Sequence, residues 1–206
     1  MNAASYAAHY FDGLAEFAFF AVLAGWLGFF LILVLGKRAA APGAAKRAPV
    51  SAIGFFLQLV GYGICFVFRR AFFTPIAHMH ESGEAILTLF IAALVIASVW
   101  LCWAAARALG KQWALAARVI EGHELIVAGP FAAVRNPIYL AMLGMLIAWA
   151  LAVARWQAIL PALILFLAGT VIRIRSEEKL LRETFGPEFD DYARRVPAMV
   201  PRLFKG

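Results

Sequence analysis

The sequence predicts an all-α, polytopic membrane protein with five transmembrane helices, and three observations lead there. Of 206 residues, 64% are hydrophobic and 15% charged, against roughly 45–50% and about 25% in a soluble domain. The apolar residues gather into five long runs. The basic residues collect in alternate segments between those runs. With a mean hydropathy of +0.82, there is too little polar surface to cover a water-soluble domain. The same composition excludes a disordered chain, a collagen-like fibre and a disulfide-stapled secreted module. A net charge of +7 would suggest nucleic acid as a partner of a soluble protein. In a membrane protein it marks cytoplasmic loops, so membrane lipids are expected as partners and nucleic acid is not.

A spanning helix needs about 20 mostly apolar residues. The first run covers Leu14 to Leu35, with Glu16 at its margin, and the second Val50 to Phe68, between Pro49 and Arg69-Arg70. The third covers Ala85 to Leu109. Runs four and five, Ile138–Ala154 and Trp156–Ile172, are separated by Arg155 alone. At ~1.5 Å per residue each short run reaches about 25 Å, so the pair is expected to form a tight helical hairpin that barely spans. A cytoplasmic helical segment follows it.

Charge gives the orientation. With the N-terminus outside, segments 37–47, 107–135 and 173–206 fall inside and hold 16 of the 19 Lys and Arg residues. Arg69, Arg70 and Arg155 remain outside, the bias expected of the positive-inside rule. The first 13 residues hold no Lys or Arg, so no basic region of a cleavable signal is expected. A bacterial inner (cytoplasmic) membrane is the expected location. The chain divides into three N-terminal helices with linkers, 1–109, and a region 110–206 that holds the polar chemistry.

Several features point nowhere. Cys65 and Cys102 lie inside apolar runs without CxxC or metal-ligand spacing, as small buried hydrophobes do, and no metal is expected. No fixed-period repeat, GxGxxG or Walker sequence is present. The basic, Ala/Gly/Pro-rich segment 36–49 reads as a solvated anchor facing anionic lipid heads. Ionisable residues inside membrane helices are costly and mark function. The first three runs offer almost none, which weighs against a channel or proton-coupled transporter.

The polar inventory sits in two stretches flanking the hairpin, 110–139 and 173–204, and both ends of one hairpin return to the same membrane face. In the first stretch Gly129-Pro130 is a turn signal. Asn136-Pro137 has the form of a helix start, with Asn at the N-cap and Pro at the first position. That account leaves His123, Glu124, Arg135 and Tyr139 unexplained; a helix N-terminus can also hold an anionic group. In the second stretch Arg173 and Glu177 stand four apart, and Arg175 and Glu178 three apart, so each pair can share a helix face. A helix passing from lipid into water would show the same pairs. Gly186-Pro187 ends that helix, and a short amphipathic piece with Phe189, Tyr192 and Val196 is expected along the membrane surface.

Taken together, GPFAAVRNPIY, a hairpin of about 35 residues and RIRSEEKLLRETFGPEFDDYARRVPAMVP resemble the isoprenylcysteine carboxyl methyltransferase family and its relatives. Those relatives include bacterial homologues and phospholipid methyltransferases. The family pattern is approximately H-x-L-V-x-x-G-x-Y-x-x-x-R-H-P-x-Y, a hairpin, then R-x-x-x-E-E, F-G-x-x-Y-x-x-Y and V-P. It is met by His123, Leu125, Ile126, Gly129, Phe131, Arg135, Asn136, Pro137 and Tyr139, then by Arg173, Glu177, Glu178, Phe185, Gly186, Phe189, Tyr192, Val196 and Pro197. The resemblance covers about residues 110–204. Two positions depart from it: Asn136 stands where the family usually has His, and Phe131 where it usually has Tyr.

The resemblance implies an enzyme that moves a methyl group from S-adenosylmethionine, leaving S-adenosylhomocysteine, to a lipophilic acceptor at the cytoplasmic face. It implies that His123, Glu124, Leu125 and Ile126 run along the cofactor. It further implies that Phe131, Asn136, Pro137, Ile138, Tyr139 and Glu177 contact the cofactor, and that Arg173 holds the acceptor. A carboxylate acceptor is already nucleophilic at neutral pH and suits an Arg; an amine or thiol would have to lose a proton first. Two other readings stand beside this one. One is an NADPH-dependent membrane reductase acting on a sterol-like lipid; the other is a non-enzymatic carrier or partner protein.

Overall fold

The computed structural model describes residues 3–35, 46–47, 50–76, 80–110, 118–119 and 125–199. Five apolar helices stand where the five runs predict them: α1 (Ala3–Leu35), α2 (Ser51–Val67), α3 (Glu81–Leu109), α4 (Pro137–Val153) and α5 (Trp156–Phe185). A short α6 (Pro187–Arg195) closes the described chain. Between α3 and α4 the chain makes a 3-10 turn over Gly129–Ala132. The only regular β-structure among the described residues is a two-residue antiparallel ladder, β1 (Lys46–Arg47) against β2 (Arg118–Val119). It joins the linker after α1 to the segment after α3.

Three helices, α1 over Gly13–Val34, α3 and α5, are long and apolar enough to cross a membrane. α2 and α4 are apolar but shorter, at 17 residues each. α5 runs unbroken through the last apolar run and on into polar sequence. Its apolar part ends near Ile172, and Arg173 to Phe185 form its polar extension.

Packing follows side-chain size. The buried face of α2 is Ser51, Gly54, Gln58, Gly61 and Cys65, a helical stripe of small and polar residues that lets two backbones approach closely. It meets Ala158, Ala162, Phe166, Gly169, Thr170 and Arg173 of α5. A Cβ on Gly54 would lie 2.5 Å from both the Arg173 Cγ and the Gly169 carbonyl oxygen, so only glycine fits there. α4 packs chiefly on α3, and α1 covers both. The two arms of the hairpin therefore lean on different neighbours rather than mainly on each other. Tyr62 links the halves by donating to the Met142 carbonyl at 2.6 Å.

Arg155 and Arg70 fix the far end of the hairpin. The Arg155 N–H donates to the Phe68 carbonyl at 2.9 Å and the Arg70 N–H to Val153 at 2.8 Å. The Arg70 guanidinium then donates to the carbonyls of Leu151 (3.0 Å), Ala152 (2.8 Å) and Ala154 (3.2 Å), the unpaired C-terminal end of α4. Glu84, just outside the third predicted run, lies within α3, is 1% exposed and accepts from the Ile76 N–H at 2.9 Å. Burial lowers the Arg70 pKa, and the charge of Glu84 opposes that shift.

Candidate active site

The turn signals act locally as their residue types require. Gly129 (φ 62) and Gly186 (φ 54) occupy the left-handed region, open to glycine at little cost. One starts the 3-10 turn and the other separates α5 from α6. Pro137 opens α4 behind Asn136 at the N-cap position, but the Asn136 side chain makes no capping bond. It donates instead to the Ala198 carbonyl at 3.0 Å, parallel to the Asn136 backbone N–H at 3.0 Å. Together with the Arg135 N–H on the Pro197 carbonyl at 2.9 Å, these bonds lay the segment after α6 across the start of α4 as a strap.

Two neighbouring groups of side chains result. The outer group surrounds a cavity of about 80 Å³ under α6. Leu125, Ile126, Phe131 and Asn136, all expected at the cofactor, line it, and so does Glu178. Arg135 anchors the outer group. Its Nε and one terminal nitrogen reach Glu178 Oε1 at 2.9 and 2.8 Å, and its other terminal nitrogen donates to the Ala193 carbonyl at 2.8 Å and to that of Val196. Glu178 thus pairs with Arg135, 43 residues away in sequence, and not with Arg175 as helical spacing suggested. A multidentate guanidinium–carboxylate contact binds better than a surface i,i+3 pair, and Arg175 is exposed.

α6 also departs from expectation. Phe189 and Tyr192 are 1% and 4% exposed and close the cavity from above, so the apolar face of α6 turns onto the protein rather than onto a membrane surface. The Tyr192 hydroxyl donates to the Phe131 carbonyl at 2.7 Å. Burial pushes that phenol up to about 12. At the corner, Arg182 and Asp190 form an exposed pair at 2.7 Å.

The inner group lies one turn further along α4. Tyr139 donates a short hydrogen bond to Glu177 Oε1, and Arg173 stands 3.7 Å from the same oxygen. The Arg173 guanidinium carbon also lies 4.9 Å from the Tyr139 ring centroid and 5.6 Å from that of Phe55. Burial raises the Glu177 pKa, against the opposing effects of the Tyr139 hydrogen bond and the Arg173 charge. Beneath it, Gln58 Oε1 accepts from Arg173 at 3.1 Å, while its amide donates to Thr170 Oγ1 at 2.8 Å.

The structure therefore brings Leu125, Ile126, Phe131, Asn136, Pro137, Ile138, Tyr139, Arg173 and Glu177 to one end of the helices. His123 and Glu124 lie outside the described residues. Gln58 escaped the sequence reading; a lone amide in an otherwise apolar run was its available signal. The pairing of Arg135 with Glu178 had no local signal at all.

The chain is similar to two curated proteins and to one protein family. NccN, a nickel-cobalt-cadmium resistance protein of Alcaligenes xylosoxydans xylosoxydans, is 35% identical over 124 residues, 59% of this chain and 52% of that protein. CzcN, a cobalt-zinc-cadmium resistance protein of Cupriavidus metallidurans, is 32% identical over 119 residues, 57% of this chain and 50% of that protein. The chain thus spans about half the length of the curated relatives it matches. Residues 87–188 match the phospholipid methyltransferase family, and that span takes in nearly all of α3, the turn, α4 and α5. The region 87–188 accordingly belongs to the phospholipid methyltransferase family, a family of the isoprenylcysteine carboxyl methyltransferase type.

Proposed function

We propose that this protein transfers a methyl group from S-adenosylmethionine to a lipophilic acceptor, a carboxylate by preference, at the cytoplasmic face of a membrane crossed by five helices. The observation that carries the reading is the largely enclosed Tyr139–Glu177–Arg173 cluster beside the cavity under α6, inside the family-matched span. The donor set suits the cofactor. Glu177 is a carboxylate whose ionised form is disfavoured by burial, and a cationic ligand group would offset that penalty. The 80 Å³ cavity is smaller than the roughly 300–1,000 Å³ typical of ligand pockets. It therefore accounts for one part of a nucleoside-sized ligand.

When bound, S-adenosylmethionine supplies a methyl group on a cationic sulfonium. The protein's part is to bind, orient and exclude water. In this reading Glu177 takes the ligand's ammonium or ribose hydroxyls. Leu125, Ile126 and Phe131 supply apolar wall, and residues 136–139 bound the pocket from α4. Phe131 keeps a ring without a hydroxyl, and Asn136 is engaged with the strap, so neither supplies a charge. Arg173 fixes an anionic acceptor. Orientation and a dry pocket suffice for an in-line displacement onto a nucleophile that is already ionised.

The names of the relatives bear only on where to look for the acceptor: in membranes of cells challenged with nickel, cobalt or cadmium. The test of the reading is calorimetric titration of the detergent-purified protein with S-adenosylhomocysteine. Saturable one-site binding is expected. Glu177→Ala should weaken it ~10–150-fold, the value of a hydrogen bond to a charged group. Folded protein that binds NADPH and ignores S-adenosylhomocysteine would move the assignment to a reductase.

A further inference from the structure

We propose that Gln58 of α2 is a positioning residue for Arg173, so that a helix outside the family-matched span completes the acceptor side of the site. The proposal rests on the methyltransferase reading and deepens it. Gln58 is 1% exposed in the middle of an apolar helix, where an unsatisfied amide is expensive. Both ends of that amide are engaged. Arg offers only donors, so the oxygen of Gln58 must face Arg173 and its nitrogen must face Thr170, as the 3.1 and 2.8 Å bonds show.

The guanidinium is thereby held from three helices. Gln58 takes one edge, Glu177 stands at another, and the rings of Phe55 and Tyr139 lie within cation–π reach. One turn before Gln58, Gly54 leaves the space the Arg173 stem occupies. α2 thus provides both the gap for Arg173 and the acceptor that sets its direction. An amide does this without adding a second carboxylate beside Glu177, so the anchoring bond does not neutralise the cation further.

The test compares Gln58→Met, which keeps volume and removes both hydrogen bonds, with Thr170→Val and Thr170→Ser. The first readout needs no activity: the rate at which phenylglyoxal modifies Arg173 in the ligand-free protein, followed by mass spectrometry. The second is transfer of tritium from methyl-labelled S-adenosylmethionine into organic-extractable material of membranes containing the protein. Gln58→Met should modify at Arg173 roughly 10-fold faster and transfer label ~10–150-fold more slowly at saturating donor, the scale of a lost bond to a charged group. Donor KM and S-adenosylhomocysteine affinity should hold. Thr170→Val should show a smaller change of the same kind, and Thr170→Ser should behave as wild type. Unchanged Arg173 reactivity in Gln58→Met overturns the positioning role whatever the activity. A parallel loss of S-adenosylhomocysteine binding overturns it too, by making Gln58 a general structural residue. Absence of both label transfer and S-adenosylhomocysteine binding in the wild type refutes the methyltransferase reading by itself.

Discussion

Replacing Arg135 by Met should release the strap from the cavity while leaving the helices assembled. The side chains of Arg135 and Glu178 are 13% and 16% exposed, so the variant leaves a largely enclosed carboxylate without its cation. Breaking such a pair costs about 3–5 kcal/mol when buried, and this degree of exposure favours the lower end. The carbonyls of Ala193 and Val196 lose a donor as well, at about 1 kcal/mol each. A total of about 5 kcal/mol corresponds to a ~5,000-fold weaker docking of the strap. Hydrogen exchange reads this directly, because the amides of Arg135 and Asn136 donate to Pro197 and Ala198. A peptide covering 130–140 should exchange much faster in Arg135→Met, with peptides from α1 and α3 unchanged. Arg135→Lys keeps the charge without the fork and should fall between. If Arg135→Met leaves exchange of the 130–140 peptide at the wild-type rate, the strap is held by something other than this guanidinium.

Three further outcomes follow from the same geometry. The Tyr192 phenol, raised from 10.0 to about 12, contributes stability that is complete below pH 10 and lost as pH climbs towards 12. That rise is worth ~2.7 kcal/mol, so the stabilities of wild type and Tyr192→Phe should change differently with pH in that window and in parallel near pH 8. Gly54→Ala should cost about 1–3 kcal/mol by overpacking α2 against α5. Gly63→Ala, where a Cβ meets nothing within 4 Å, is its control in a thermal-shift series. Arg70→Met removes a cation from the C-terminal carbonyls of α4 and should lower stability by about 2–3 kcal/mol. Equal melting temperatures for wild type and this variant would show that the loop after α2 holds without it.

The helices were legible because burial in hydrocarbon demands long apolar runs, and runs are local. Val50–Phe68 and Ile138–Ala154 differ from the observed α2 and α4 by one residue at each end. The third run missed the four residues from Glu81, because a hydropathy reading treats Glu84 as a boundary while the fold buries it against the loop after α2. The site was legible as two stretches and not as a network. Spacing on one helix could propose Arg173 with Glu177, which stand 3.7 Å apart. It had no means of seeing that Glu178 faces Arg135, or that the hydroxyl of Tyr192 reaches the Phe131 carbonyl. The amphipathic α6 shows the same limit. Periodicity identifies an apolar face, whereas only the fold decides whether lipid or protein covers it.

The short helices α2 and α4 have equal length and unequal exposure to the surroundings. No residue of α4 is exposed; α1, α2, α3 and α5 all touch it. Its span of roughly 25 Å therefore need not match the thickness of anything. α2 presents Ile53, Phe56, Leu59 and Val67 outward, so in a bilayer it alone of the two meets acyl chains at about that length. Hydrophobic mismatch is relieved by tilting a helix or thinning the lipid around it. In thicker membranes that load falls on the helix that carries Gly54 and Gln58. Lipid thickness thus becomes a variable of the site itself, acting through the one short helix that faces the lipid.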